Sequence, residues 1–468
     1  MELSNDSGDC SGEASQAQPA GHSDGSNEAA AALLARPARG FVRFLYSSNP
    51  FYILSADLVF VGMKISFGSG GPASHSWALA VGLAGYTLLL ATTACFLIRA
   101  GKLWDDLRSL LILIVMMFLA MATSFDDTMA ADPSRGSQGY LGGFAFAVVV
   151  SEVVLRTIRL RLRGWYCAAY YAILAVVFLY PIALAPVLSQ PESPRLQWAL
   201  FGFSPLAALA LLLLVPAARC GADYVAKNGS PWRWPLFPWS LFFVIAGGVG
   251  LRCYSLCLSF HYVEGSRTIF GPYFLIPIGL AVALVWLEIA IAARRRGVMV
   301  MASMIPLALV LLAPAGFRYE PVHLHFLDLF RQTLGGSPFF VALVAAAVFH
   351  AYAIVRRVPI AWELLTVDLG ALGAVGPNTF AIHQIAGLRP LPLAAAGLVL
   401  GIVAWRGRRS GRAVVAASLI AVAIAQGCAD IWPGADSAAI ALHLVIVAFL
   451  TVGALFDDWL ARLAQISA

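Results

Sequence analysis

Arginine clusters recur along this chain, and neighbouring clusters are separated by pairs of long apolar runs. That alternation constrains the fold more than any motif does. A helix that crosses a bilayer needs about 20 mostly apolar residues, with a range near 17–25. Runs that meet this requirement lie at about 50–67, 77–98, 108–124, 140–157, 166–187, 198–216, 236–259, 271–293, 298–315, 338–354, 359–376, 390–405, 413–428 and 438–456. Charged residues make up 12% of the chain and hydrophobic residues 60%, whereas a soluble domain carries about 25% charged residues. An ordinary globular protein is therefore excluded. The expected fold is all-α: a polytopic transmembrane helix bundle of about fourteen spans, forming one membrane domain over residues 36–468.

The arginines also predict orientation, because Lys and Arg accumulate in cytoplasmic loops. A cytoplasmic N-terminus places Arg36, Arg39 and Arg43, then Arg99, Lys102 and Arg108, then Arg156, Arg159, Arg161 and Arg163 on the inner side. The same side receives Arg219, Lys227 and Arg233; Arg294 to Arg296; Arg356 and Arg357; Arg406, Arg408, Arg409 and Arg412; and Arg462. The outer segments receive only Arg135, Arg195, Arg267, Arg318, Arg331 and Arg389. Both termini are thus expected to be cytoplasmic, in a cytoplasmic (inner) membrane. The run at 359–376 is the least apolar, with Glu363, Asp368 and a Gly-rich end before Pro377. The alternation nevertheless requires it to cross, as a helix broken or partly unwound at that end.

Residues 1–35 hold Glu2, Asp6, Asp9, Glu13, Asp24 and Glu28 but no Lys or Arg, and are rich in Ser, Gly and Ala. They are expected to form a disordered acidic cytoplasmic tail. The tail lacks the basic start and apolar run of a signal peptide. Outside the tail the basic excess lies beside the spans, where the lipid bilayer is the expected partner and nucleic acid is not. Cys253 and Cys257 share a helix face at i, i+4 and are expected to be buried neutral thiols, with no structural disulfide. Internal prolines at 181, 186, 205, 277 and 306 predict kinks.

Ionisable groups inside spans are the strongest functional signal, because a charge at the bilayer centre costs about 2.5–3.5 kcal/mol on insertion scales. Substrate or proton-coupling candidates are Asp57, Arg252, Glu288, Glu363 and Asp368. Arg252 requires an anionic partner, for which Asp57 is one option. Glu152 has Arg156 at i+4 and is expected to form a local ion pair. Glu363 and Asp368 lie in the Gly-ended run, the pattern of discontinuous helices that build binding sites in secondary transporters.

A second set of candidates lies on the expected outer side. His75, His261, His323, His325 and His383 all fall there. His323 and His325 would share a metal only on an extended backbone, because a helix turns them about 200° apart. Apolar Val322, Phe326, Leu329 and Phe330 recur at helical spacing, which favours an interfacial amphipathic helix. Asp126 and Asp127, at the outer end of the third run, are candidate catalytic acids, since paired carboxylates bind divalent metals or act as bases. In span number and aromatic content the chain resembles membrane glycosyltransferases that use polyprenyl-phosphate sugars. The resemblance implies a catalytic acid in the first outer loop; here that loop, about 68–76, contains no Asp or Glu. No Walker loop or HExxH motif is present, and the cofactor is left unknown.

Buried charge, Pro-broken helices and the lack of a soluble domain favour a transporter or flippase-like carrier. The alternatives are a lipid-linked glycosyl or acyl transferase with an outer-face site, and a non-catalytic membrane sensor or assembly protein.

Overall fold

The computed structural model describes residues 72–101, 104–188, 193–225, 229–232, 234, 236–261, 268–315, 321–375 and 390–407, with short helical pieces between 415 and 424. The helices are α1 (Pro72–Phe96), α2 (Trp104–Ser124), α3 (Asp126–Ala131), α4 (Pro133–Thr157), α5 (Gly164–Leu188), α6 (Pro194–Leu212) and α7 (Leu214–Cys220). They continue with α8 (Leu236–Phe260), α9 (Ile276–Ala292), α10 (Arg296–Leu312), α11 (Pro321–Leu334), α12 (Pro338–Val355), α13 (Ala361–Val375) and α14 (Leu391–Gly407). No strand occurs among the described residues.

Helix starts at one end of the bundle share a device. Asp132 accepts hydrogen bonds from the backbone N–H groups of Ser134 (3.0 Å) and Arg135 (3.2 Å), just ahead of Pro133 in α4. Ser193 accepts from Leu196 N–H and Ser337 from Phe340 N–H, each followed by proline at the first helical position of α6 and α12. The side-chain oxygen satisfies a donor that the first turn leaves open, and proline occupies a position that needs none.

Helix ends at the other side share a device too. Arg159, Arg294 and Arg357 follow α4, α9 and α12 with φ of 57°, 53° and 58°. The next N–H then reaches back five residues, from Leu160 to Leu155, Arg295 to Ala290 and Val358 to Ala353, each at 3.0 Å. Glycine usually serves this closure; a side chain there costs about 1–2 kcal/mol. A cation at the negative end of the helix dipole offsets part of that cost, by roughly 0.3–1 kcal/mol. The arginines that predict topology therefore also close the helices.

α9 runs through the middle of the bundle and packs against α6, α7, α8, α10 and α12. α1 lies on α2 at one flank, and α12, α13 and α14 pack in series at the other. Val81, Phe96, Leu251 and Val348 remain 67%, 69%, 67% and 66% exposed. Apolar surface of that kind is an aggregation hazard in water and the natural outer face of a bundle in hydrocarbon. The chain is an all-α, multi-pass membrane protein on this evidence.

Among the described residues, eight helical segments are long and apolar enough to cross: Trp77–Gly101, Leu107–Ala131, Pro133–Thr157, Gly164–Leu188, Pro194–Cys220, Phe237–Phe260, Pro272–Ala292 and Pro338–Val355. They coincide with eight of the expected runs. The runs at 298–315 and 390–405 form shorter helices, α10 and α14, of 17 residues each. The run at 359–376 forms the 15-residue α13, roughly 22 Å long. The runs at 50–67 and 438–456 lie outside the described residues, as do most of 413–428 and the acidic tail. Pro277 sits in the first turn of α9 rather than inside a helix. The first turn follows a short 3-10 segment, Pro272–Leu275, so the proline replaces no hydrogen bond.

Candidate functional site

Three buried polar clusters tie the bundle together, and each answers a question that the sequence left open. The first lies at the end where α2 passes into α3. Arg252, from α8, places its guanidinium against the carboxylate of Asp126, with Nη1 at 2.5 Å from Oδ2 and Nη2 at 2.8 Å from Oδ1. The two side chains are 1% and 3% exposed. The fork-to-fork arrangement supplies two parallel charged hydrogen bonds. Tyr140 of α4 donates to Asp126 Oδ1 and accepts from Arg252 Nη2 at 2.9 Å. Ser255 and Ser259 add contacts of 3.1 Å to Arg252 and 3.4 Å to Asp126.

Asp126, expected as one of two candidate catalytic acids at the outer end of the third run, is thus buried in an ion pair. The α2–α3 junction turns its side chain into the bundle, while Asp127, one position on, is exposed. Adjacent helical positions point about 100° apart, so the two carboxylates do not act as a pair. Arg252 finds its anion on α3; Asp57, the other option, lies outside the described residues.

The second cluster is at the arginine-rich end. Glu288 of α9 is fully buried. Arg356 donates to it at 2.8 Å, Arg219 approaches at 3.4 Å and Tyr352 donates to Oε1. Arg219 also donates to the Tyr352 hydroxyl at 2.6 Å. The cluster pins α7, α9 and the end of α12 together. Its two arginines remain partly exposed, which explains how a carboxylate so near the cluster Arg294–Arg296 tolerates burial.

The third cluster joins α10, α12 and α13. His350 and Asp368 are 0% and 1% exposed. His350 Nδ1 lies 2.5 Å from Asp368 Oδ2, and Nε2 lies 2.9 Å from the carbonyl oxygen of Ser303. A carbonyl only accepts, so Nε2 carries a proton. The short contact at Nδ1 then requires one further proton between imidazole and carboxyl. The pair as a whole is neutral. Its other carboxyl oxygen, Asp368 Oδ1, is buried without a hydrogen-bond partner among the described residues.

The surroundings of this pair are built for close approach and for bending. Ser303 lies one turn before Pro306, whose missing N–H opens the α10 ladder. On α13, a Cβ at Gly370 would meet Ala396 Cβ at 2.7 Å, so the glycine lets α14 press directly on the helix that carries Asp368. Glu363 is half-buried in the first turn of α13. It lies five positions before Asp368, so the two carboxylates point about 140° apart.

The remaining candidates fall in place around these clusters. Glu152 binds Arg156 at 3.0 Å and accepts from Tyr171 at 2.5 Å, a local tie as expected. Cys253 and Cys257 are buried free thiols. His323 is buried and His325 exposed on the helical α11, turned apart as a helix requires. Among the described residues no three His, Cys, Asp or Glu side chains converge to hold a metal. α11 does not lie free at an interface: Phe326 and Phe330 are buried against Trp198 and Phe201 of α6. His261 pairs loosely with Gln197 at 3.5 Å, and burial holds its imidazole below the ordinary histidine range.

No known protein family, characterised protein or solved structure matches this chain.

His350 and Tyr140 are the residues that sequence reasoning missed. His350 lies inside an apolar run, and that alone marks an ionisable group as a candidate. Tyr140 carries no comparable signal, because tyrosines are common near span ends.

Proposed function

We propose that this protein is a proton-coupled membrane carrier, with His350 and Asp368 as its proton-binding pair. The observation that supports the reading is the 2.5 Å contact between two fully buried ionisable groups on neighbouring helices, a distance that calls for a proton between them. Remove that proton and an Asp carboxylate faces the lone pair of Nδ1, two acceptors at 2.5 Å. That contact is repulsive, and the α12–α13 packing it maintains is then disfavoured. Protonation thus biases a helix–helix contact, which is the requirement for coupling a proton to a conformational change. Pro306 on α10 and Gly370 on α13 place a bend and a thin contact next to the pair, where movement is cheapest. The unpartnered Asp368 Oδ1 supplies an acceptor for a polar solute or water in the alternate state.

The test uses purified protein in liposomes loaded with a pH-sensitive dye, under an imposed pH gradient. A panel of sugars, amino acids and organic anions is added in turn. One class is expected to accelerate collapse of the gradient in the wild type, and not in Asp368→Asn or His350→Gln. A wild type that responds to no class, or an Asp368→Asn variant that responds equally, refutes the proposal.

A further inference from the structure

A cavity of about 190 Å³ opens at the end of the bundle away from the arginine clusters, between the 3-10 segment Pro272–Leu275, α11 and the start of α12. Ala313 and Leu327 contribute apolar wall. Its polar lining is of one kind. Tyr273 is 4% exposed, and its hydroxyl is buried without a hydrogen-bond partner among the described residues. His323 is 3% exposed, with its ring 6.2 Å from that of Tyr273. Arg331 reaches the cavity from the last turn of α11. Ser337 and Pro338 bring the N-terminus of the 18-residue α12 to the same wall. Among the described residues, no Asp or Glu lines the cavity.

Each of these features favours negative charge. A buried phenol O–H without an acceptor is costly, so its presence points to an acceptor that completes the site. The start of a long helix carries about half a positive charge. Among the described residues Arg331 is held elsewhere only by an exposed pair with Asp328 at 3.4 Å, with side chains 55% and 62% exposed. Exposed pairs of this kind are weak, so the guanidinium can turn to a better anion. Donors approach from three separate elements, which suits a tetrahedral oxyanion with several oxygens better than a planar carboxylate. The volume falls below the roughly 300–1,000 Å³ of sites for drug-sized molecules, and so fits a headgroup or a small anion.

We propose that this cavity binds a phosphate-type oxyanion, with Tyr273 and Arg331 as its hydrogen-bond donors and the α12 N-terminus facing the charge. The anion is either a lipid phosphate headgroup or a small phosphorylated solute. The site is independent of the proton pair, which lies toward the opposite end, so failure of one proposal leaves the other standing.

The experiment takes the full chain in phosphatidylcholine nanodiscs. In one arm inorganic phosphate is titrated and the thermal unfolding midpoint is followed. In the other, phosphatidic acid is doped into the discs and retained lipid is counted by native mass spectrometry. Saturable binding in at least one arm is expected. Tyr273→Phe, which keeps the ring, and Arg331→Gln, which alters an exposed side chain, should each weaken it about tenfold or more. Arg135→Gln, an exposed arginine outside the cavity, should leave it unchanged. Binding of free phosphate assigns the site to a soluble ligand, and binding of phosphatidic acid alone assigns it to a lipid. No saturable binding in either arm, or wild-type binding by Arg331→Gln, overturns the proposal; Arg331→Gln decides if Tyr273→Phe fails to fold.

Discussion

Replacing Asp126 by Asn should destabilise this protein more than almost any other single polar substitution. Arg252 is 1% exposed, and its guanidinium has two of its hydrogen bonds on the Asp126 carboxylate. Among the described residues its Nε is buried without a partner, and the cation has no reserve contact beyond Tyr140 and Ser255. Breaking a buried pair by neutralising one member costs about 3–5 kcal/mol, because the other charge stays buried. Asn keeps one acceptor oxygen, which places Asp126→Asn near the lower limit, at about 3 kcal/mol. Asp328→Asn is the matched control: its pair with Arg331 is longer, at 3.4 Å, and more than half exposed, and should change stability by less than about 1 kcal/mol. The assay is reversible unfolding in mixed micelles by titrated denaturing detergent, followed by circular dichroism. A double-mutant cycle with Arg252→Gln should return a coupling of roughly 2 kcal/mol or more. If Asp126→Asn falls within 1 kcal/mol of Asp328→Asn, or the cycle closes near zero, the pair is not a structural tie and the reasoning fails.

Two further outcomes follow from the same geometry. Glu288→Gln should cost less than Asp126→Asn, about 1–2 kcal/mol. Its partners Arg219 and Arg356 are 47% and 33% exposed and can turn to water; a loss equal to that of Asp126→Asn in the same titration would refute this. Gly136→Ala should destabilise, since its Cβ would meet the Met129 backbone at 2.4 Å, whereas Gly142→Ala meets nothing within 4 Å. The latter should gain up to about 1 kcal/mol from helix propensity, and the two midpoints should move in opposite directions.

The fold was legible where hydropathy and charge act along one helix. Eight runs appear as long apolar helices, with ends up to about seven residues beyond the expected limits, because length and apolarity are local properties. The local pair Glu152–Arg156 was legible for the same reason: four residues on a helix are adjacent by construction. Asp126–Arg252 was not, since nothing in a sequence measures the distance between positions 126 residues apart. Position in the run did show that Arg252 required an anion. The direction of the Asp126 side chain was hidden because it depends on how α4 and α8 pack against α3, which the sequence of the run does not show. His350 was detectable as an ionisable residue in an apolar run; only the packing of α13 on α12 shows what it meets.

The long separation between Asp126 and Arg252 also has a consequence for how the protein is made. At about 5–20 residues per second, Arg252 is synthesised roughly 6–25 s after Asp126, with α4 to α7 emerging in between. Through that interval the α2–α3 segment carries a carboxyl group whose permanent partner does not yet exist. The segment must therefore wait in the insertion machinery, or enter the lipid with the acid in its uncharged form, and lock into place when α8 arrives. Biogenesis, and not only the finished structure, thus depends on residue 252 being delivered on time.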